Sequence, residues 1–263
     1  TLYAIWLPDN TNLATKFGTT GVAATFNAVA AYLRTTPKQD GSGTTMSVGA
    51  IKIGDYVILP SLSVAVYNSQ GTAITGLADQ KVKVVGINPY AGKNLNTPGA
   101  LLVFQFEKIV TTRRMHLNAN VSYGETELRR YLTPVGGATG SGNFYTGLVN
   151  AGVPEDVFWA PMRVIGAKYG GSIESLQDKV FLPTVYEAFG YEYGGETSGN
   201  QGRLSAYHDS DSRKKSGAGA NEWWLASPDS SSSSYFGNVY TNGSVTSNIA
   251  NTVLGLAPAF CIK

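Results

Sequence analysis

Cysteine is almost missing from this chain: Cys261 is the single one in 263 residues. An internal disulfide and any multi-cysteine metal site are therefore excluded. Cys261 lies in the apolar run Ala-Pro-Ala-Phe-Cys-Ile (257–262), which reads as a core strand carrying a buried, inert thiol. Histidine is nearly as scarce. His116 and His208 are far apart with no partner at ligand-type spacing, so each reads as a surface or capping residue. Charged residues make up 14% of the chain and the net charge is +2, with no basic stripe, which removes the electrostatic footprint of nucleic-acid binding. No apolar run approaches the ~20 residues that span a bilayer. No G-x-S-x-G, phosphate-binding loop or dinucleotide fingerprint is present. These absences point away from enzyme chemistry, cofactors and bound metal.

What fills the deficit is Gly, Ser, Thr and Asn between short apolar runs. Thr25 to Pro37 carries Phe26, Val29, Ala30 and Leu33 at helical spacing, with Thr25 as N-cap and Pro37 as the stop. Residues 1–7, 51–59, 80–88 and 100–109 read as strands separated by Gly, Asn and Pro turns. Residues 124–132 predict a short helix with Leu128, Tyr131 and Leu132 inward. Residues 178–190 predict a strand end, a helix opened by Pro183 and a C-cap at Gly190. The last forty residues hold a strand at 222–228, a hairpin over 235–247 turning at Asn242-Gly243, and a final strand at 255–262. Local β order with two short helices gives an α+β class with a C-terminal antiparallel sheet. An N-terminal β-rich extension, a strand and helix over 1–48, precedes the main domain at 49–263.

The stretch 227–252 contains five consecutive serines, Ser230 to Ser234, which taken alone suit a flexible spacer. Alternation beyond them separates scaffold from surface. Val239, Gly243, Val245, Ala250 and Gly255 read as inward side chains or turn glycines. Tyr235, Phe236, Asn238, Tyr240, Thr241, Ser244, Thr246, Ser247, Asn248, Ile249, Asn251 and Thr252 are the candidates to point outward, although strict alternation cannot hold for them all. Tyr, Ser, Gly and Asn are also the residues enriched in antibody paratopes, where Tyr offers contact area at low entropy cost. Trp223 and Trp224 are adjacent in a strand, so they face opposite ways. Trp224 is assigned to the outward side, as a floor for the site, and Tyr191 and Tyr193 are placed beside it.

The order Leu-Arg-Arg-Tyr-Leu (128–132), Asp-Lys-Val-Phe-Leu (178–182), Trp-Trp-Leu-Ala-Ser-Pro (223–228), Asn-Val-Tyr-Thr-Asn-Gly-Ser-Val (238–245) and Gly-Leu-Ala-Pro-Ala (255–259) resembles a bacterial and phage family of C-type-lectin-fold domains. That family includes variable proteins of diversity-generating retroelements and is related to formylglycine-generating enzymes. The likeness covers roughly 50–263. It departs at Ala226 and Ala257, where members often carry Arg. The resemblance implies a C-type lectin fold that presents a variable region, about 229–252, as its ligand-binding face.

Randomising both adenines of an Asn codon yields only codons ending in a pyrimidine, which cannot encode Lys, Glu, Gln, Met or Trp. Those five types supply 34 of the 263 residues, yet none lies between Asp229 and Ile262. A β-rich segment of low charge would also tend to avoid them.

The Glu-Pro-Asn or Gln-Pro-Asp triplet through which sugar-binding lectins of this fold hold calcium is missing, so the expected ligand is a protein rather than a glycan. Asp209 and Asp211, two carboxylates two positions apart on an expected loop, are the candidates for weak calcium binding. The Lys214-Lys215 pair after them reads as a solvated turn. Residues 1–7 resemble the closing strand of the small β-grasp repeats of internalin-type surface proteins, which implies an origin at the end of a longer exported chain. The expected location is therefore extracellular, at a cell surface or on a virion. Two other readings stay open: an invariant structural or adhesion domain with the same fold, and a degenerate enzyme of the formylglycine-generating type.

Overall fold

The computed structural model describes residues 10–35, 51–67, 72–90, 100–118, 120–136 and 141–263. The strand expected at 1–7 lies outside them. The described chain is mixed α+β. It runs through helices α1 (Leu13–Phe17) and α2 (Val22–Thr35), strands β1 (Tyr56–Val64), β2 (Ile74–Ile87), β3 (Leu102–Phe106) and β4 (Thr111–Arg114), and helices α3 (Glu127–Leu132) and α4 (Asn143–Asn150). Short strands β5 (Phe158–Trp159), β6 (Met162–Ile165), β7 (Glu174–Gln177) and β8 (Val180–Phe181) precede helices α5 (Val185–Phe189) and α6 (Ser210–Arg213). The chain closes with β9 (Trp223–Pro228), β10 (Tyr235–Val239), β11 (Val245–Ile249), β12 (Val253–Leu256) and β13 (Ala259–Ile262).

Two sheets are joined through the short link between β12 and β13. The first has the order β1-β2-β3-β13-β5, and β8 shares with β5 the far edge of β13. The second has the order β11-β10-β9-β12-β4 and is antiparallel except where β12 meets β9. Strands β6 and β7 pair separately. Both faces of the central strands are covered, which period-2 alternation divides cleanly. Phe104, Phe106, Trp224, Ala226, Phe260 and Ile262 enter the larger core with Phe26 of α2, whereas Val103, Trp223, Leu225, Ala259 and Cys261 enter a second cluster with Val185 and Tyr207. Pro60, which cannot donate to a ladder, sits in β1 at the sheet edge.

Of the expected N-terminal strand and helix, the helix is found and the strand lies outside the described residues. The extension's described part, residues 10–35, is two helices, and Phe26 packs edge-on against Phe104 at 5.4 Å between ring centroids. Helix α2 begins four residues before Phe26, where its apolar spacing starts. Thr25 is buried within it, donating its hydroxyl to Gly21 O at 2.8 Å rather than capping the end. Among the described residues the main domain holds four α-helices, not the expected two, and the N-terminal extension holds two more. Helix α4 was concealed by glycine. Gly147 lies where a Cβ would meet Ser63 O at 2.7 Å, so the helix packs backbone to backbone on β1. Helices α3 and α5 match expectation, with Leu128, Tyr131 and Leu132 buried and Gly190 left-handed at the end of α5. The cap of α5 is Thr184, whose side chain accepts from Glu187 N while the Glu187 carboxylate accepts from Thr184 N.

Candidate functional site

The hairpin β10–β11 forms one end of the second sheet, with β11 as its free edge. Its turn is not the two-residue type the Asn242-Gly243 pair suggested. Tyr240 N donates to Ser244 O and Gly243 N donates to Tyr240 O, both at 2.8 Å, so Thr241, Asn242 and Gly243 form a three-residue loop. Gly243 is left-handed (φ 82°), and a Cβ there would run into Ser210 O of α6. Arg213 fixes the same turn, donating its Nε to Gly243 O at 2.9 Å while its guanidinium stacks 4.3 Å from the Phe189 ring centre.

The serine run is organised rather than a bare spacer. The Asp229 carboxylate accepts from Ser231 N at 2.8 Å and from Ser231 Oγ at 2.6 Å, an Asx turn, and Asp229 N donates to Tyr235 O. Burial raises the Asp229 carboxyl, but hydrogen bonds from Ser231 and Ser247 outweigh it and leave its pKa lowered. Ser234 O accepts from Ala250 N, which closes the base of the hairpin.

Cross-strand register decides where each expected contact residue lies. Tyr235 pairs with Ile249, Phe236 with Asn248, Asn238 with Thr246 and Val239 with Val245. Tyr235, Tyr240 and Ile249 are 39%, 44% and 36% exposed, and Thr241, Ser244, Thr246 and Asn251 are exposed beside them. Ser247, Asn248 and Thr252 are half-buried.

Three expected contact residues turn out to be interior. Phe236 packs in the larger core. Asn238 is buried, its amide donating to Glu222 Oε2 at 3.0 Å and its carbonyl accepting from Asn248 at 3.2 Å. Trp224 is also buried, and its Nε1 donates to Arg113 O at 2.9 Å. The outward assignment of Trp224 failed because both sides of β9 are covered, so alternation leaves neither indole in solvent. The expected scaffold residues Val239, Ala250 and Gly255 are buried and Val245 half-buried.

The surface continues beyond the hairpin. Phe189 stacks near Tyr191, with 5.8 Å between ring centroids, and Tyr191 is exposed. Tyr193 stands close enough to Asp229 that its phenol pKa is pushed up, first by burial and then by that carboxylate. Contacts at the hairpin's tip and base therefore tie it to the 189–193 segment.

Beneath this surface lies a buried polar network that local patterns barely announce. The Glu187 carboxylate accepts from Arg163 Nη2 at 2.6 Å, from Arg163 Nε at 2.9 Å and from Tyr90 Oη at 2.7 Å. Glu196, also buried, accepts from Ser227 Oγ at 2.6 Å, Gly166 N at 2.9 Å and Tyr186 N at 3.0 Å. Burial outweighs those three bonds and raises the Glu196 pKa to about 7. This network joins β6, α5 and β9, and it holds the hairpin's support rigid. Its members come from distant parts of the chain; the one local signal was the capping pattern Thr184 to Glu187.

The remaining chemistry-bearing side chains are accounted for individually. Burial pushes the Cys261 thiol up, so it is protonated and inert. His116 accepts from Glu127 N at 3.1 Å, capping α3. His208 is exposed. Asp209 caps α6 by accepting from Ser212 N at 2.7 Å, and Asp211 pairs with Lys214 at 2.6 Å. Lys215 corrects the solvated-turn reading. Only Lys214 is exposed; Lys215 folds inward and donates to Phe106 O at 2.9 Å. Among the described residues no helix is long and apolar enough to cross a membrane.

The model of the family described as "Domain of unknown function (DUF6273)" matches residues 101–263, more than half of the chain and all of the hairpin with its supports. No curated protein and no solved structure matches the chain.

Proposed function

The chain belongs to the DUF6273 family, whose description carries no activity, and from the chain's own surface we propose that it is a non-enzymatic ligand-recognition domain. The hairpin edge at Tyr235, Tyr240, Thr241, Ser244, Thr246, Ile249 and Asn251 is its binding face. The carrying observation is the division of labour within one short hairpin. Exposed aromatic, Thr, Ser and Asn side chains flank the buried run of Phe236, Asn238 and Val239, and the turn is pinned by Arg213 and Gly243. Such a face can change its side chains without disturbing the core, as an antibody loop does on its sandwich. The resemblance to C-type-lectin-fold variable proteins supplies the fold and the diversification mechanism of this proposal. The missing Lys, Glu, Gln, Met and Trp between Asp229 and Ile262 fits adenine-directed change.

The ligand in this reading is a protein. Rigid tyrosines with small polar neighbours suit protein surfaces, and the triplet through which sugar-binding lectins of this fold hold calcium is missing from the sequence. The proposed location is a cell surface or a virion. Buried Cys261, with its raised thiol pKa, speaks against thiol chemistry of the formylglycine-generating kind. A display library randomised at those seven exposed positions tests the face directly. The proposal expects most members to stay folded and selection against unrelated proteins to yield binders. A library that mostly unfolds overturns it.

A further inference from the structure

A cavity of about 610 Å³ lies between the β2–β3 side of the first sheet and the 205–215 segment. Its walls include Lys83, Gln105, Glu107, Tyr207, His208 and Lys215. We propose that this cavity takes a small aldehyde or ketone and holds it as an imine on the Lys215 side-chain nitrogen.

The placement of Lys215 carries the proposal. Its Nζ donates to two backbone carbonyls, Phe106 O at 2.9 Å and Glu107 O at 3.4 Å. It stands 5.8 Å from the Trp223 ring centre and 6.0 Å from that of Tyr207. Glu107, the carboxylate in the cavity wall, is engaged by Lys83 in an ion pair, and no ion pair to Lys215 is found among the described residues. A lysine held among aromatic rings beside a second cation is the arrangement that turns an ammonium into a nucleophilic amine. Burial first, and then the Lys83 charge, lowers the Lys215 pKa to about 7, with Glu107 opposing. The neutral amine has two N–H bonds, matched by the two carbonyls, and its lone pair is the remaining tetrahedral position.

That lone pair attacks the carbonyl carbon of the ligand. The carbonyl π pair takes up a proton to give a carbinolamine, which then loses its hydroxyl. Both amine hydrogens depart with the carbonyl oxygen as water, leaving a C=N bond. No oxidant or reductant is consumed. The other lysines at the cavity are already paired, Lys83 with Glu107 and Lys214 with Asp211, which leaves Lys215 as the lining lysine without an ion pair among the described residues. Gln105, whose Oε1 accepts from Tyr207 Oη, adds a fixed polar wall.

The test uses the full chain with glyoxylate as probe and cyanoborohydride as trap, followed by peptide mapping of the modified lysines between pH 6 and 9. The proposal expects Lys215 to be trapped roughly ten-fold or more faster at pH 7 than exposed Lys108 and Lys214. Lys83→Met, which removes the neighbouring cation, should slow trapping at Lys215 while leaving Lys108 unchanged. Lys215→Arg, checked for a native thermal transition, should remove the fast phase. Equal trapping across the lysines, or no modification of Lys215 while exposed lysines react, overturns the proposal. The hairpin reading is untouched by either result, since no residue is shared.

Discussion

Replacing Phe236 and Tyr240 separately with alanine distinguishes scaffold from surface within a single hairpin. The two aromatic residues are four positions apart, and both read as outward in the sequence. Phe236 is 1% exposed and packs in the core that holds Trp224 and Phe260, whereas Tyr240 is 44% exposed beside the turn. Emptying a fully buried phenylalanine site costs about 3–5 kcal/mol in lost transfer energy and cavity formation. Truncating an exposed tyrosine away from any special backbone position costs within about 0.5 kcal/mol. For a chain of this size that difference corresponds to a fall in Tm of roughly 6–20 °C for Phe236→Ala and at most ~2 °C for Tyr240→Ala. Urea titrations followed by tryptophan fluorescence supply the free energies. Similar m-values in both variants would show that the comparison concerns stability and not the extent of the transition. Equal destabilisation by the two changes, or a larger loss at Tyr240, would refute the division between buried frame and exposed face.

Other consequences follow from the supports. Glu187→Ala leaves Arg163 buried without its carboxylate and should cost about 3–5 kcal/mol, measured by denaturant unfolding. Glu196 has a folded pKa raised to about 7 from 4.5, so the native state holds the extra proton between those values. Stability from this group is full below pH 4.5 and declines as pH rises to about 7, by an order of 3 kcal/mol, and Glu196→Gln should flatten that slope in a pH series of melts. Gly243→Ala pushes a Cβ into Ser210 O at a left-handed position and should destabilise by more than about 1 kcal/mol in the same unfolding assay. Cys261 should react with a disulfide reagent only at the rate of unfolding, seen as coincident absorbance and fluorescence transitions.

Elements specified by their own residues were readable in advance. The apolar spacing of Phe26, Val29, Ala30 and Leu33 located α2, and Leu128, Tyr131 and Leu132 located the inward face of α3. Val239, Gly243 and Ala250 stood out as hairpin scaffold because alternation and turn chemistry act over a few residues. What escaped was everything decided by distant partners. Alternation sends Trp223 and Trp224 to opposite sides of β9, but it cannot say that both sides are covered, so Trp224 was assigned to the surface. Asn238 looked like a contact residue because its burial depends on Glu222 and Asn248 satisfying its amide. Lys215 looked like half of a solvated pair because its hydrogen-bond acceptors, Phe106 O and Glu107 O, lie more than a hundred positions upstream. Helix α4 was hidden by Gly147, which weakens helix propensity yet permits its close approach to β1.

The hairpin's status as a diversified recognition face rests on how its codons vary, and the DNA flanking the gene tests this most directly. The account predicts a nearby reverse transcriptase and a template copy of the gene's 3′ segment. That copy should differ from the gene only at adenines, with the differences concentrated in the codons of exposed Tyr235, Tyr240, Thr241, Ser244, Thr246, Ile249 and Asn251. A locus without such a copy, or differences concentrated in the codons of buried Phe236, Val239 and Ala250, would contradict it.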